Sequence, residues 1–228
     1  MSRKNIVDLF SGVNCFTKPY FQDEIKLFTV DNNPDFIPTW LGDFEFFDPT
    51  EAVKFFHGER VDVLYIGFPC TTFSVASIGA HWGTHDDGSP YRPKSDAAKK
   101  AIRMLEHLFN VVIPTLNPRV IIMENPRGVL RKMRLMKRLK RDTVWYCQYG
   151  TTAGIKRAKP TDIFTYGLPN WNPRPPCKNG NPDCDHVRAP RGAKTGTQGL
   201  KGNTLRSMIP HELCEELANA VREQWKTL

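Results

Sequence analysis

The chain has 228 residues, of which 40% are hydrophobic and 25% are charged, and its formal net charge is +8 at pH 7. A chain of this length and composition can bury one good core, so we expect one domain with at most a small appendage. No apolar stretch approaches the ~20 residues that span a bilayer, and the chain opens on a strand-like segment rather than an apolar signal core, so we expect a cytoplasmic protein with no membrane partner.

Five short apolar segments rich in β-branched residues predict buried strands. They are KNIVDLF (4–10), IKLFTVD (25–31), VDVLYIGF (61–68), PRVIIMEN (118–125) and TVWYCQYG (143–150). Helical periodicity runs through 96–116 behind a Ser95 N-cap, and a second amphipathic helix is predicted near the end of the chain, at 209–228. Strands that alternate with helices predict a parallel α/β sheet, in which ligands bind beyond the carboxyl ends of the strands.

Residues 168–200 differ in composition from the rest of the chain, because they are rich in Pro, Gly and Asn and poor in apolar side chains. We expect a main domain over 1–167, a loop-built insert over 168–200, and a segment over 201–228 that completes the main domain.

The insert carries Cys177, Cys184 and His186, whose thiolate and imidazole groups suit zinc. Structural zinc sites use four ligands and only three are visible in this segment. The sequence alone therefore favours a polar loop with incidental thiols over a bound zinc. The six cysteines are scattered through the chain, which fits free thiols in a reducing compartment.

A small glycine-containing turn, DLFSG, follows the first strand directly. Such a turn lets a nucleotide-like ligand approach backbone amides. About 20 residues later Asp31 ends the second strand, where an acidic side chain can accept hydrogen bonds from two ribose hydroxyls. The glycine-containing turn and Asp31 together indicate an adenosine-containing cofactor. The alternative is that Asp31 merely begins the turn DNNP.

Cys70 lies in GFPCTTFS, at the carboxyl end of the third predicted strand. Polar residues follow it, which places the thiol toward a cleft, although position alone leaves a core cysteine as plausible as a nucleophile. A zinc deaminase is a further alternative, because His57 and Glu59 precede Pro69-Cys70. That pattern fails because Phe73 stands where a second cysteine is needed.

The order DLFSG, GFPCTTFS and MENPRG resembles the cytosine-C5 DNA methyltransferases, most closely their compact phage-type members. The segment LGD (41–43) is similar to the part of that family that contacts adenine. The segment QYGTTAGIKRAKPTDIF (148–164) is similar to the part that carries two basic side chains after Tyr-Gly. The resemblance implies a Rossmann-like, S-adenosylmethionine-dependent methyltransferase fold of the α/β class, with residues 168–200 as a small target-recognition insert.

The resemblance also implies a mechanism and site residues. Cys70 attacks C6 of cytosine, and Glu124 acts at N3 and the exocyclic amine. Arg157 and Lys159 stabilise the thiolate and bind the base or the backbone. The residues expected to bind S-adenosylmethionine are Phe10, Ser11, Gly12, Asp31, Asp43 and Pro69.

The implied partner is double-stranded DNA, whose target base must be flipped out of the stack, and the positive net charge agrees with a polyanionic partner. Residues 74–95 form a long glycine-containing loop that can close over that base, with Ser74 nearest the site. In the insert, Arg188 and Arg191 are the candidates for reading base edges. We expect a monomeric protein in the cytoplasm of a bacterial or phage-infected cell.

The chain departs from the family pattern at three places. Asn14 stands where a second glycine is usual, Lys159 stands where a second arginine is common, and the final Gly-Asn motif corresponds to 202–203 or is fused into the last helix. Two other functions stay open on the sequence alone: an RNA (tRNA) cytosine-C5 methyltransferase, and a non-catalytic DNA-binding module on the same scaffold.

Overall fold

The computed structural model describes residues 3–178, 180–187 and 202–226. Its centre is a seven-stranded sheet in the order β3-β2-β1-β4-β7-β9-β8, accompanied by a separate hairpin of β5 and β6. In this sheet β3, β2, β1, β4 and β7 are parallel to one another, and β9 runs antiparallel to both β7 and β8. The strands are β1 (Lys4–Leu9), β2 (Ile25–Asp31), β3 (Trp40–Leu41), β4 (Val63–Gly67), β5 (Trp82–Thr84), β6 (Pro90–Pro93), β7 (Val120–Pro126), β8 (Lys140–Trp145) and β9 (Pro160–Tyr166).

The helices flank the sheet, and short 3-10 turns join many of the elements. The predicted helix over 96–116 is confirmed as α3 (Asp96–His107) and α4 (Ile113–Leu116), which are joined by a π-helical turn at Leu108–Val112. Pro114 accounts for that wider turn, because it has no N–H to donate to the preceding turn. The Ser95 hydroxyl accepts from the Ala98 amide at 3.1 Å, so the predicted N-cap is also confirmed. The helices are α1 (Thr50–Phe55), α2 (Ile78–His81), α3 (Asp96–His107), α4 (Ile113–Leu116), α5 (Asn203–Ser207) and α6 (His211–Lys226).

Hydrophobic clusters cover both faces of the sheet. Leu64 and Ile66 of β4 point to the cluster that contains α3, and Tyr65 between them points to the cluster that contains α6. A strand buried on both faces reads as a continuous apolar run rather than an alternating one. The run VDVLYIGF is therefore explained by the central place of β4, and the predicted α/β fold is confirmed.

The structure differs from the sequence prediction in several elements. The predicted strand over 143–150 is a strand only as far as Trp145, and Tyr146–Tyr149 form a 3-10 turn. Strand β9 was not predicted, and it pairs antiparallel with both β7 and β8. Residues 74–95 are not a structureless loop, because they contain α2 and the hairpin of β5 and β6. Across the described residues, no helix combines the length and apolar character that crossing a bilayer requires.

Candidate active site

The turn after β1 has an unusual backbone. Phe10, Gly12 and Asn14 all have positive φ, of 59°, 50° and 57°. An aromatic residue rarely adopts this conformation, and such strain of roughly 1–3 kcal/mol concentrates at functional sites. Asn tolerates the left-handed conformation that otherwise favours glycine. Asn14 can therefore stand where the family pattern usually has a second glycine.

A cleft of about 290 Å³ opens at the carboxyl ends of β1 and β2. Four of the residues predicted to bind the cofactor line it, namely Phe10, Asp31, Asp43 and Pro69. Its volume lies near the lower end of the usual range for small-molecule sites. The remaining two, Ser11 and Gly12, form the turn beside the cleft, where the Gly12 amide donates to Asp31 Oδ2 at 2.9 Å.

Asp31 ends β2 as predicted and is 9% exposed. Its Oδ2 accepts from the Gly12 amide, and its Oδ1 accepts from the Asn33 amide at 2.9 Å. A carboxylate offers about four acceptor positions, so each oxygen retains capacity toward the cleft. Asp31 therefore organises two turns and still presents a hydrogen-bond acceptor to a ligand.

Lys100 of α3 reaches the same cleft and pairs with Asp43. The hydrogen bond from Lys100 lowers the pKa of Asp43, so this carboxylate is ionised at neutral pH. Lys100 was not predicted from the sequence, because a lysine on the polar side of an amphipathic helix gives no local signal of a binding role.

Asp8 lies beneath the turn and is 1% exposed. Burial, with a further contribution from the charge of Asp31, raises the pKa of Asp8 to about 8. The Asp8 carboxyl is thus mostly uncharged at pH 7.

Cys70 follows β4 in a turn held from several sides. The amides of Phe73 and Ser74 both donate to the Cys70 carbonyl, at 3.1 and 3.0 Å. Trp82 of the hairpin donates its ring N–H to the Thr72 carbonyl at 2.7 Å. Gly128 packs so closely against this turn that an added Cβ would lie 2.0 Å from the Phe73 carbonyl oxygen, so only glycine fits there.

Glu124 is the third residue from the end of β7 and is 7% exposed. Its Oε1 accepts from the Tyr146 hydroxyl at 2.9 Å and lies 3.8 Å from Lys159 Nζ. The neighbouring Asn125 donates to the Phe68 carbonyl at 2.8 Å, which fixes the end of β7 against the segment that leads to Cys70.

The charges of these groups are coupled. Burial raises the pKa of the Cys70 thiol, and the Glu124 carboxylate raises it further, whereas Lys159 acts in the opposite direction. Burial also raises the pKa of Glu124, against the opposing effects of Lys159 and the Tyr146 hydroxyl. A proton on Glu124 therefore favours the thiolate of Cys70.

The basic pair lies under the C-terminal segment. Arg157 is 2% exposed, and its Nη2 donates to the Met208 carbonyl at 3.3 Å. Lys159 Nζ lies 3.5 Å from the Arg206 carbonyl and 4.7 Å from the centre of the Tyr146 ring. Tyr146 thus contacts Glu124 and Lys159 together, a role that the sequence did not reveal because Tyr146 lies in an apolar segment.

The predicted DNA-contacting residues are only partly described. Ser74 is half-buried beside Cys70, and its hydroxyl lies 3.0 Å from that of Ser77. Arg188 and Arg191 lie outside the described residues.

The sheet order, the strained turn after β1 and the acid at the end of β2 define the chain as a Rossmann-like protein of the S-adenosylmethionine-dependent methyltransferase class. Residues 4–141 match the family of C-5 cytosine-specific DNA methylases. This match covers more than half of the chain, so the chain belongs to that family. S-adenosylmethionine, the predicted cofactor, is the methyl donor of this family.

Three solved structures are similar to parts of the chain. The methyltransferase EhMeth of Entamoeba histolytica is 13% identical, with a TM-score of 0.53, and the match covers 75% of this chain and 55% of that one. A protein described as a DNA modification methyltransferase from an E. coli prophage is 14% identical, with a TM-score of 0.47 and coverage of 71% and 46%. A mutant of DNMT2 from Spodoptera frugiperda is 19% identical, with a TM-score of 0.41 and coverage of 77% and 56%.

The chain spans about half the length of these solved structures. At such identities the likeness to EhMeth shows the fold alone. No curated protein matches the sequence of the chain.

Proposed function

We propose that this protein transfers a methyl group from S-adenosylmethionine to C5 of cytosine in double-stranded DNA, through a covalent bond between Cys70 and C6 of a flipped base. The observation that carries the proposal is the meeting of three groups: the Cys70 thiol just beyond β4, the buried Glu124 carboxyl near the end of the adjacent strand β7, and Lys159 just before β9. Pro69, next to the thiol, lines the cleft assigned to the donor. The family match supports DNA as the substrate.

The residues present fit this chemistry. Cytosine C5 is a weak nucleophile until a thiolate adds to C6, when the electrons of the C5–C6 double bond become available at C5. Glu124 in its protonated form hydrogen-bonds N3 and stabilises the charge that develops on the ring. When bound, S-adenosylmethionine supplies the electrophilic methyl group. A base then removes the C5 proton, the C5–C6 double bond re-forms, and the Cys70 thiolate leaves.

The donor cleft fits S-adenosylmethionine by the chemistry of its lining. The Phe10 ring offers an apolar face for adenine, Asp31 offers acceptors for the ribose hydroxyls, and Asp43 offers an acceptor for the adenine amine. The raised pKa of Asp8 limits the negative charge beneath the turn that Ser11 and Gly12 form.

The proposal includes how the chain meets its substrate. Residues 1–167 and 201–228 form the catalytic domain, which is supported by the packing of α6 into the core of the sheet. Residues 168–200 form the recognition insert, with Arg188 and Arg191 as base-reading candidates. The proposed catalytic groups belong to one chain, so a monomer suffices. The proposed location is the cytoplasm of a bacterial or phage-infected cell, which the resemblance to phage-type members implies.

A substrate comparison tests the function. Purified protein is incubated with labelled S-adenosylmethionine and either duplex DNA or tRNA, and methylated cytosines are located by conversion sequencing. We expect 5-methylcytosine in the DNA at a short recognition sequence. Methylation confined to tRNA would replace the DNA substrate with RNA, and binding of DNA without any methylation would favour a non-catalytic module.

Asp31→Ala is expected to weaken S-adenosylmethionine binding by about 1.5–3 kcal/mol, the cost of losing a hydrogen bond to a charged group. Isothermal titration calorimetry measures this change. Asp86→Ala is the matched control, because the Asp86 side chain is fully exposed on the hairpin, away from the cleft. Equal affinities for the parent and for Asp31→Ala would show that Asp31 serves only the turn.

A further inference from the structure

Four potential metal ligands meet at the junction between the insert and the sheet. Cys147, Cys177, Cys184 and His186 each offer one ligand atom, and these atoms lie within 4.8 Å of one another. The last three are the insert residues seen in the sequence. The fourth, Cys147, lies in the 3-10 turn directly after β8 and completes the set that the sequence left at three.

The surroundings of the cluster suit a buried metal site. Cys147, Cys177 and His186 are 2%, 6% and 4% exposed, and Cys184 is half-buried. All six cysteines of the chain are free thiols, and each lies within the described residues. Three thiols and an imidazole form a donor set of the Cys₃His type, which in proteins is typical of structural zinc.

The spacing of the ligand atoms is close to that of a tetrahedral site. With Zn–S bonds of about 2.3 Å, ligand atoms of a tetrahedron are separated by roughly 3.5–3.8 Å. The sulfur of Cys177 lies 3.9 Å from Nδ1 of His186, which is already near this value. The widest separation, 4.8 Å, requires a movement of no more than about 1 Å.

Neighbouring amides are placed to support thiolate ligands. The side chain of Asn181 points its Nδ2 at the Cys177 sulfur over 3.7 Å, and Gln148 Nε2 lies 3.9 Å from the Cys147 sulfur. Donors of this kind orient metal ligands and offset their negative charge. The backbone N–H of Asn181 donates to the Lys178 carbonyl at 3.1 Å, which closes a tight turn between the two insert cysteines.

We propose that Cys147, Cys177, Cys184 and His186 bind one structural zinc ion that fastens the insert to the catalytic domain. All four positions are filled by protein, so the ion has no open position for substrate and its role is structural. Cys147 is fixed by the end of β8, and the other three ligands lie within residues 177–186, so the ion cross-links two distant parts of the chain.

The cross-link lies next to the catalytic groups. Tyr146, which donates to Glu124, directly precedes Cys147. After His186, the Val187 amide donates to the Lys156 carbonyl at 2.8 Å, and Val187 pairs with Arg157 in a short parallel bridge. Zinc binding thus fixes the position of Val187, from which the chain continues into residues 188–200, relative to Arg157 and Lys159. This consequence rests on the proposed function, but the presence of the metal does not.

Metal analysis tests the site without any activity measurement. The protein is produced with zinc in the medium, purified without chelator, and analysed by mass spectrometry of its metal content. We expect one zinc ion per chain in the parent and less than a tenth of that in Cys177→Ser and Cys184→Ser. Cys15→Ser is the matched control, because Cys15 is a half-buried free thiol outside the cluster, and it should retain the zinc.

A second measurement covers variants that fail to fold. Exchange of the parent's metal for Co²⁺ should produce the intense sulfur-to-metal charge-transfer band and visible bands of a tetrahedral thiolate site, and excess Zn²⁺ should remove them. A parent protein without stoichiometric zinc, a disulfide among the three cysteines, or full zinc content in Cys177→Ser would overturn the proposal. Because no methylation is measured, a failure here is distinct from a failure of the proposed function.

Discussion

Replacement of Cys70 by alanine is expected to abolish both methyl transfer and covalent capture of DNA. The thiol is the group proposed to bond to C6, and alanine supplies no nucleophile. A duplex with 5-fluorocytosine at the target traps the parent, because the enzyme cannot remove fluorine as it removes the C5 proton. The adduct is detected as a protein–DNA species that survives denaturation and by its mass.

Cys15→Ala is a suitable control for that experiment. Cys15 is a half-buried thiol whose pKa is raised by burial, and Glu124 acts on it as it does on Cys70. A variant that keeps Cys70 should still form the adduct. Methylation by Cys70→Ala at the parent's rate would rule out the proposed mechanism. Loss of the adduct in Cys15→Ala but not in Cys70→Ala would identify Cys15 as the nucleophile.

Much of the candidate site could be predicted because its residues end strands. Asp31, Cys70 and Glu124 each lie at or just beyond the carboxyl end of a parallel strand, and such ends meet at one edge of the sheet. The end of an apolar run therefore marks candidate site residues, and the three sequence motifs together, rather than position alone, selected Cys70 as a nucleophile. Strand β9 was missed because its sequence, PTDIFTY, mixes polar and apolar residues and was recognised only as part of a family motif.

The residues that the sequence missed act across long separations in the chain. Lys100 reaches Asp43 from a helix, and Tyr146 reaches Glu124 from the turn after β8. Cys147 joins a cluster whose other members lie about 30 or more residues later. Each belongs to a segment whose local pattern is explained by packing alone, so only the folded arrangement of the chain shows the second role.

The structure also changes how the basic residues of the insert are understood. Arg174 lies in the insert, but its guanidinium pairs with Glu212 and Glu216 of α6. It also lies over the ring of Tyr149, with 4.8 Å to the ring centre. Arg174 thus fastens the start of the insert to the catalytic domain, much as the proposed zinc fastens residues 177–186. The roles of Arg188 and Arg191 in base recognition stay predictions.

Glu124→Gln is expected to lower kcat by about 10²–10⁴-fold, the usual contribution of a positioned acid or base. Glutamine has nearly the same shape and can still donate a hydrogen bond to N3, but it cannot transfer a proton. The Tyr146 hydroxyl donates to Oε1 of Glu124 over 2.9 Å, so the side chain is already oriented and the loss should appear in kcat rather than in DNA binding. Single-turnover methylation and DNA titrations separate the two effects.

The pH dependence of Glu124→Gln gives a further test of the same role. Burial raises the pKa of Glu124 and that of Cys70, and the proposed reaction needs the first group protonated and the second ionised. As pH rises through the pKa of Glu124 its acid form is lost, so kcat/KM of the parent should stop rising and then fall at alkaline pH. In Glu124→Gln only the thiol titrates, so the residual rate should rise with pH and level off once Cys70 is ionised. If kcat/KM of Glu124→Gln decreased at alkaline pH as it does in the parent protein, Glu124 would not be the acid.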